Sequence, residues 1–290
     1  MPDSLHATLR RHLAPGAATV IPGAADALTA RIIEATGFPL VYVTGAGVAN
    51  AHLGAPDLGL TTATEVAVQV AAIREAVSLP IIVDGDTGFG NALNLQRTVR
   101  AFERAGASAI QIEDQVFPKR CGHFDGKDVI PAAEMVQKVK AAVDARRDAG
   151  FAIIARTDAR AVEGFDAALE RAAAYRAAGA DVLFVEAPQS VEELARIPTA
   201  LPGPHLCNVV FGGRTPMLPR EELGRLGFAG VLYANAALQA AMLAMQRVLG
   251  HLHRHGSLAG AESEIISFAA RQALVDLERY RALEDRYRGA

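Results

Sequence analysis

The chain has 290 residues, 51% of them hydrophobic and 21% charged, and a formal net charge of -3. That balance is globular and supplies no basic field for nucleic acid or an anionic membrane, so small molecules are the expected partners, with no nucleic acid and no membrane. The N-terminal stretch MPDSLHATLRRHLAPG lacks the apolar core of a signal peptide, and no apolar run approaches the roughly 20 residues that span a bilayer, so a cytoplasmic location is expected.

Short β-rich runs recur along the chain: ATVIPG from Ala18, LVYVTG from Leu40, PIIVDGD from Pro80, AIQIED from Ala109, AIIARTD from Ala152, DVLFVEA from Asp181, HLCNVV from His205 and GVLYA from Gly230. Each is short enough for a buried parallel strand. Between them lie segments rich in Ala, Leu, Glu and Arg with helical spacing, among them TATEVAVQVAAIREAVS, ALNLQRTVRAFERAG, PAAEMVQKVKAAVDARRDAG and FDAALERAAAYRAAGA, several closing with Gly. About eight strands alternating with helices predict an α/β fold of the (β/α)8 barrel type, although an open doubly wound sheet gives the same local alternation.

No Pro-, Gly- or Ser-rich linker divides the chain, so residues 1–256 are expected to form the barrel and 257–290 a helical tail of the same domain. The tail carries an apolar stripe that must be buried on its own barrel or on another subunit.

In such a barrel the reactive groups gather where strands end. Thr44 ends the second run, Asp84 and Asp86 the third, Glu113 and Asp114 the fourth, Arg156 and Asp158 the fifth, Glu186 the sixth and Asn208 the seventh. Crowded carboxylates repel one another unless a cation neutralises them, and an all-oxygen donor set suits Mg²⁺, with Mn²⁺ also compatible, rather than Zn²⁺. Asp86 is then the candidate direct ligand, with Asp84 and Glu113 holding metal-bound waters. A single acid at any of these positions has a blander role as a turn or helix cap.

Of the two cysteines, Cys207 lies in an apolar run and reads as a packing thiol, whereas Cys121 sits in KRCGH, where neighbouring cations favour its thiolate. GAGVAN lacks the third glycine of a dinucleotide fingerprint and GDTGFG lacks the ending of a P-loop. Their backbone N–H groups remain suited to a carboxylate or oxyanion. HLHRH from His251 reads as a positively charged helix end rather than a metal pair.

In this order, VDGDTGFGN, IEDQVFPKRCGH, ARTDA and VEAP resemble the isocitrate lyase and phosphoenolpyruvate mutase superfamily, from about Ile21 to about Gly256. The likeness is strongest to its short members: the methylisocitrate lyase, 2,3-dimethylmalate lyase and carboxyphosphonoenolpyruvate phosphonomutase groups. The resemblance implies a barrel whose final helix is exchanged between subunits, in a homotetramer built as a dimer of helix-swapped dimers. It also implies a Mg²⁺-dependent carbon–carbon lyase acting on a substituted malate-type 2-hydroxy dicarboxylate. Cys121 inherits the role of general acid, Lys119, Arg120 and His123 hold the anionic substrate and tune the thiol, and Arg156 stabilises the oxyanion. Asp86 is the metal ligand, with Asp84, Glu113 and Glu186 in its water shell. Tyr42, Thr44, Gly45 and Ala46 hold the 2-oxo acid carboxylate, Asn208 a distal carboxylate, and Asp57 faces the site. The segment from about Phe117 to Ile130 is expected to gate it.

Two departures fall in the part that selects the substrate. NVVFGG places Phe211 where many relatives carry Glu, and YANA at Tyr233 to Ala236 replaces Tyr-Pro-Leu-Ser. A smaller or more apolar substituent at C3 is thereby favoured over the carboxylate arm of methylisocitrate. The competing readings are a phosphonate mutase or hydrolase, an oxaloacetate decarboxylase, and a barrel that binds metabolites without turnover.

Overall fold

The computed structural model describes residues 4–120, 122 and 126–288. Its eight strands are β1 Thr19–Ala24, β2 Val41–Val43, β3 Ile81–Asp84, β4 Ala109–Glu113, β5 Ala152–Thr157, β6 Val182–Val185, β7 His205–Asn208 and β8 Gly230–Tyr233. Each run read as a strand holds one, with β1 extending one residue past its run to Ala24. All neighbours are parallel, and β8 closes on β1 with Thr19 opposite Gly230 and Pro22 opposite Tyr233. That pairing makes a closed (β/α)8 barrel and excludes the open doubly wound sheet.

The strands are apolar almost throughout because both faces are covered. Ile82, Ile154, Phe184, Leu206 and Leu232 fill the barrel interior, while Val41, Val43, Ile81, Val83, Ile110 and Ile153 join the outer layer of core under the helices. Burying each such side chain stabilises the fold by about 1.5–3 kcal/mol relative to exposure. Leu9, in helix Leu5–His12, and its cap residue Leu13 belong to the inner cluster. A Cβ on Gly230, the first residue of β8, would lie 3.1 Å from the Leu13 side chain. The N-terminal helix therefore plugs the end where the strands begin, and the opposite end is left for chemistry.

Local signals set the helix ends. Thr62 and Glu65 form a reciprocal capping box at the start of helix Ala63–Ala76, and Gly37 ends helix Ala27–Thr36 in the left-handed conformation that glycine adopts without strain. The helix read from Pro131 to Gly150 stops sooner, at Ala145: Arg146 is extended, and its guanidinium reaches forward to Phe151 O at 3.0 Å and to Asp181 at 2.8 Å.

After β8, helix Ala236–His255 buries no residue. Beyond it the chain forms a 3₁₀ turn at Glu262–Glu264 and two short helices, Phe268–Leu274 and Leu277–Tyr287, broken at Asp276 with φ 60°. Ile266 and Phe268 in this tail are exposed. His251 and His255 stack at 4.5 Å at the end of the long helix, and His251 Nε2 lies 3.0 Å from Ala259 O, which agrees with a helix-end role. Among the described residues no helix is long and apolar enough to cross a membrane.

Candidate active site

The barrel brings the strand-end residues together at one mouth. Tyr42, Thr44, Asp84, Glu113, Arg156, Glu186 and Asn208 border a cavity of about 60 Å³, joined by Ala46 from the helical turn Gly45–Val48 and by Asp57, Lys119 and Arg120 from the loops. Gly45 and Asp86 do not border it but touch residues that do, Gly45 through Asp84 and Asp86 through Lys119. Cys121 and His123 fall outside the described residues. A larger cavity, about 860 Å³, lies outside the barrel between helices Ala63–Ala76 and Ala92–Arg104 and contains none of the strand-end acids.

Asp84 is held by three donors: Gly45 N at 3.2 Å, Asp86 N at 3.1 Å and Gln111 Nε2 at 3.3 Å. The Gly45 N–H is thus committed to Asp84 rather than turned toward a ligand, while Ala46 borders the cavity. A Cβ on Gly45 would come within 3.0 Å of both Asp84 Oδ2 and Asp86 Oδ1, so a larger residue would crowd both acids. Asp86 adopts φ 46°, an uncommon conformation fixed by Glu113 N donating to its carbonyl at 2.9 Å.

Two cations answer the acids. Lys119 Nζ lies 2.5 Å from Asp57 Oδ1 and 2.8 Å from Asp86 Oδ1. Burial works against its charge, but Asp86, Asp84, Glu113 and Asp57 outweigh that and hold the ammonium firmly protonated. Arg156 donates Nε and Nη2 to Asp158 at 2.9 and 3.0 Å, sits 3.3 Å from Glu113 and 3.8 Å from Glu186, and lies over the Phe184 ring at 5.3 Å. Burial pushes the Glu113 carboxyl well above the usual range against the pull of Arg156. Burial likewise lifts Asp86 to about 7, with Lys119 opposing and Asp84 and Asp57 adding to the rise.

Whether a metal fits can be judged from the oxygens. Among the described residues no three His, Cys, Asp or Glu side chains are gathered to ligate one ion together. A site here would therefore rest on one or two carboxylates, with water or substrate completing the shell, which is the habit of Mg²⁺. Asp86 Oδ1 is buried with the Lys119 ammonium 2.8 Å away, and Glu113 Oε1 is buried and accepts no hydrogen bond. Buried acceptors in that state are costly, so the acid set fits a divalent cation.

Several contributors escaped the sequence reading. Gln111 accepts the Tyr42 hydroxyl at 2.7 Å and orients Asp84; its signal was one amide inside the apolar run AIQIED. Phe184, also missed, forms part of the cavity wall, whereas Asn235 lies in the YANA segment singled out from the sequence, accepts from Thr44 Oγ1 at 3.2 Å and borders the cavity. Phe211 is 80% exposed, and Val210 rather than Phe211 borders the cavity. Asp114 turns away from the mouth and serves the scaffold, accepting from Thr157 Oγ1 and Tyr175 OH at 2.7 Å each. Cys207 is buried, and burial with the nearby Glu186 charge pushes its thiol up to about 12, as expected for a packing thiol.

Residues 9–253 match the family model described as phosphoenolpyruvate phosphomutase. The chain is 46% identical to 2,3-dimethylmalate lyase from Eubacterium barkeri, with 97% of each chain covered. It is 44% identical to 2-methylisocitrate lyase from Shewanella oneidensis, covering 89% of this chain and 90% of that one. A crystal structure of 2,3-dimethylmalate lyase superposes with a TM-score of 0.93 at 34% identity, over 100% of this chain and 97% of the other. A phosphonopyruvate hydrolase solved with oxalate and Mg²⁺ superposes with a TM-score of 0.88 at 31% identity, over 98% and 99% of the two chains. With the barrel, the acid cluster at its mouth and the match over most of its length, the chain belongs to the phosphoenolpyruvate mutase/isocitrate lyase superfamily.

Proposed function

We propose that the chain is a cytoplasmic, Mg²⁺-dependent carbon–carbon lyase that cleaves a 2-hydroxy dicarboxylate of the 2,3-dimethylmalate type to a 2-oxo acid and a second carboxylate. The observation that carries this reading is the mixed wall of the cavity. Asp84, Glu113, Lys119, Arg156 and Glu186 supply charge, while Phe184, Val210, Leu232 and Ala234 are apolar. A methyl group at C3 suits the apolar residues, whereas the carboxymethyl arm of methylisocitrate would bring a charged group against them.

Cleavage turns C2 into a carbonyl. The hydroxyl proton leaves to a buried carboxylate, the C2–C3 electron pair passes to C3 and into its adjoining carboxylate, and C3 is then protonated. Arg156 meets the charge on the C2 oxygen, Thr44 and Ala46 hold the carboxylate of the 2-oxo acid half with Tyr42 behind them, and Asn208 holds the distal carboxylate. Lys119, Arg120 and His123 draw in the anionic substrate, and Cys121 delivers the proton to C3. Bound Mg²⁺ would supply Lewis-acid neutralisation of the 2-oxo acid half; Asp86 would hold it directly, and Asp84, Glu113 and Glu186 would hold its waters. Mn²⁺ is compatible with the same oxygens.

We also propose a homotetramer, a dimer of dimers in which helix Ala236–His255 crosses to a second copy, with residues 257–290 belonging to the same domain. Its support is a long helix with no buried residue.

The test incubates the protein with 2,3-dimethylmalate, 2-methylisocitrate, oxaloacetate and phosphonopyruvate, each with and without Mg²⁺, and follows 2-oxo acid release by mass spectrometry. Mg²⁺-dependent release of pyruvate and propionate from 2,3-dimethylmalate, at least about tenfold faster than any other substrate, is expected. Turnover of phosphonopyruvate or oxaloacetate alone would replace the lyase reading.

A further inference from the structure

Lys127 is a buried cation that none of these roles employs, with 2% of its side chain exposed. Its Nζ donates to the backbone carbonyl of Gly122 and to Asp158 Oδ1, the latter at 2.8 Å. Asp158, whose side chain is fully buried, accepts Arg156 Nη2 on that same Oδ1 and Arg156 Nε on Oδ2. One carboxylate is thus shared by two cations, one facing the cavity and one behind it. Asp158 is also fixed through its backbone, since its N–H donates to Asp114 Oδ1 at 2.8 Å.

Gly122 links the second contact of Lys127 to the same guanidinium. A Cβ at this position would lie 2.3 Å from Arg156 Nη2 and 2.5 Å from Glu186 Oε1, so the backbone rests directly on both groups. A single ammonium therefore secures the anion that orients Arg156 and the backbone that covers it.

Charge explains why a second cation is useful. Arg156 stands among Asp158, Glu113 and Glu186. Paired with Asp158 alone it would be neutralised before substrate arrived, whereas Lys127 offsets Asp158 and leaves the positive charge of Arg156 to set against Glu113, Glu186 and the substrate. Burial by itself would raise the Asp158 carboxyl, but Arg156 and Lys127 outweigh it and bring it down to about 2, so the carboxylate stays ionised.

We propose that Lys127 is a positioning residue for Arg156: through Asp158 it sets the direction of the guanidinium and offsets the carboxylate paired with it, and through the Gly122 carbonyl it seats the backbone against it. The consequence for catalysis rests on the lyase reading; the consequence for Arg156 geometry does not.

The experiment compares wild-type protein with Lys127→Ala and with Lys127→Gln, which keeps an N–H donor and most of the bulk should the first variant fail to fold. On the substrate that wild type turns over with Mg²⁺, kcat is expected to fall about 30- to 100-fold with KM within about threefold, because the lost interaction matters most as charge develops. Propylamine, but not the neutral propanol, should restore kcat of Lys127→Ala at least about fivefold. In crystals of the variant the guanidinium should be drawn onto Asp158, opening its contact with Glu113 beyond about 4 Å. Wild-type kcat in either folded variant, or equal rescue by propanol, overturns the proposal. If wild type turns over none of the substrates, the lyase reading fails and the position of Arg156 in the variant crystals decides the matter, unchanged geometry being fatal.

Discussion

Glu113 and Arg156 are register partners on adjacent strands, with Arg156 Nε 3.3 Å from the Glu113 carboxylate. The pairing is a product of barrel register: β4 ends at Glu113 and β5 one residue beyond Arg156, so the two side chains meet in the mouth. Arg156 uses the planar fork of its guanidinium to hold Asp158 at two points while still touching Glu113 and Glu186.

Lysine in that place would keep the charge and lose the fork. Arg156→Lys is therefore expected to lower kcat at least about a hundredfold while changing KM only a few-fold, since one ammonium cannot keep the bidentate contact and also meet a developing oxyanion. Steady-state kinetics on the best substrate of the screen would show it. Near-normal kcat would mean that a point charge suffices at the barrel wall.

The alternation of apolar runs and Gly-terminated helices made the barrel legible, because a buried parallel strand and an amphipathic helix each leave a local signature. The strand-end acids were legible for the same reason: once the strands are placed, topology says where they end. Gln111 and Lys127 were not, since their work depends on partners 27 and 31 residues away, Asp84 for Gln111 and Asp158 for Lys127. The two departures in sequence fared differently: Ala234 and Asn235 of YANA border the cavity, whereas Phe211 stands in solvent and its neighbour Val210 takes the cavity wall.

Asp86 couples the metal to pH. Its carboxyl in the folded protein titrates at about 7 against an ordinary 3.8, with burial as the first cause. Between those values the folded state holds a proton that the unfolded chain has released, so without metal this group's contribution to stability declines as the pH rises through the window. Asp86→Asn should flatten that decline, and Mg²⁺, which binds the ionised form, should stabilise more at about pH 8 than at about pH 5. Thermal melts at the two pH values, with and without Mg²⁺, measure both effects. Asp86→Ala should keep the fold and lose at least about a thousandfold in turnover, and near-normal activity in excess Mg²⁺ would remove Asp86 as the metal ligand.

The exposed face of helix Ala236–His255 bears on assembly. Met245 and Leu249 are 53% and 62% exposed, and Met242 and Leu243 are exposed on the same helix. Leaving that surface in water is unfavourable, and a second copy could cover it through an isologous contact. Met245→Glu combined with Leu249→Glu is expected to convert oligomer to monomer in sedimentation experiments, because two charges would be carried into an apolar contact. A wild-type protein that sediments as a monomer at micromolar concentration would exclude the exchanged helix.

Cys121 lies outside the described residues, and its role follows from the motif KRCGH together with the carbanion chemistry proposed above. Serine is nearly the same size as cysteine, but its hydroxyl is a far weaker acid than a thiol with an ordinary pKa of about 8.5. Cys121→Ser should therefore bind substrate much as wild type does and fail at proton delivery. A fall in kcat of at least about a hundredfold with KM changed only a few-fold is expected, the range that general acid catalysis usually contributes. A phosphonate mutase or a decarboxylase that used this thiol only to line the cavity would lose much less. If Cys121→Ser retains most of its kcat on the best substrate, the proton reaches C3 from another group, and the lyase reading loses the residue that sets it apart from its competitors.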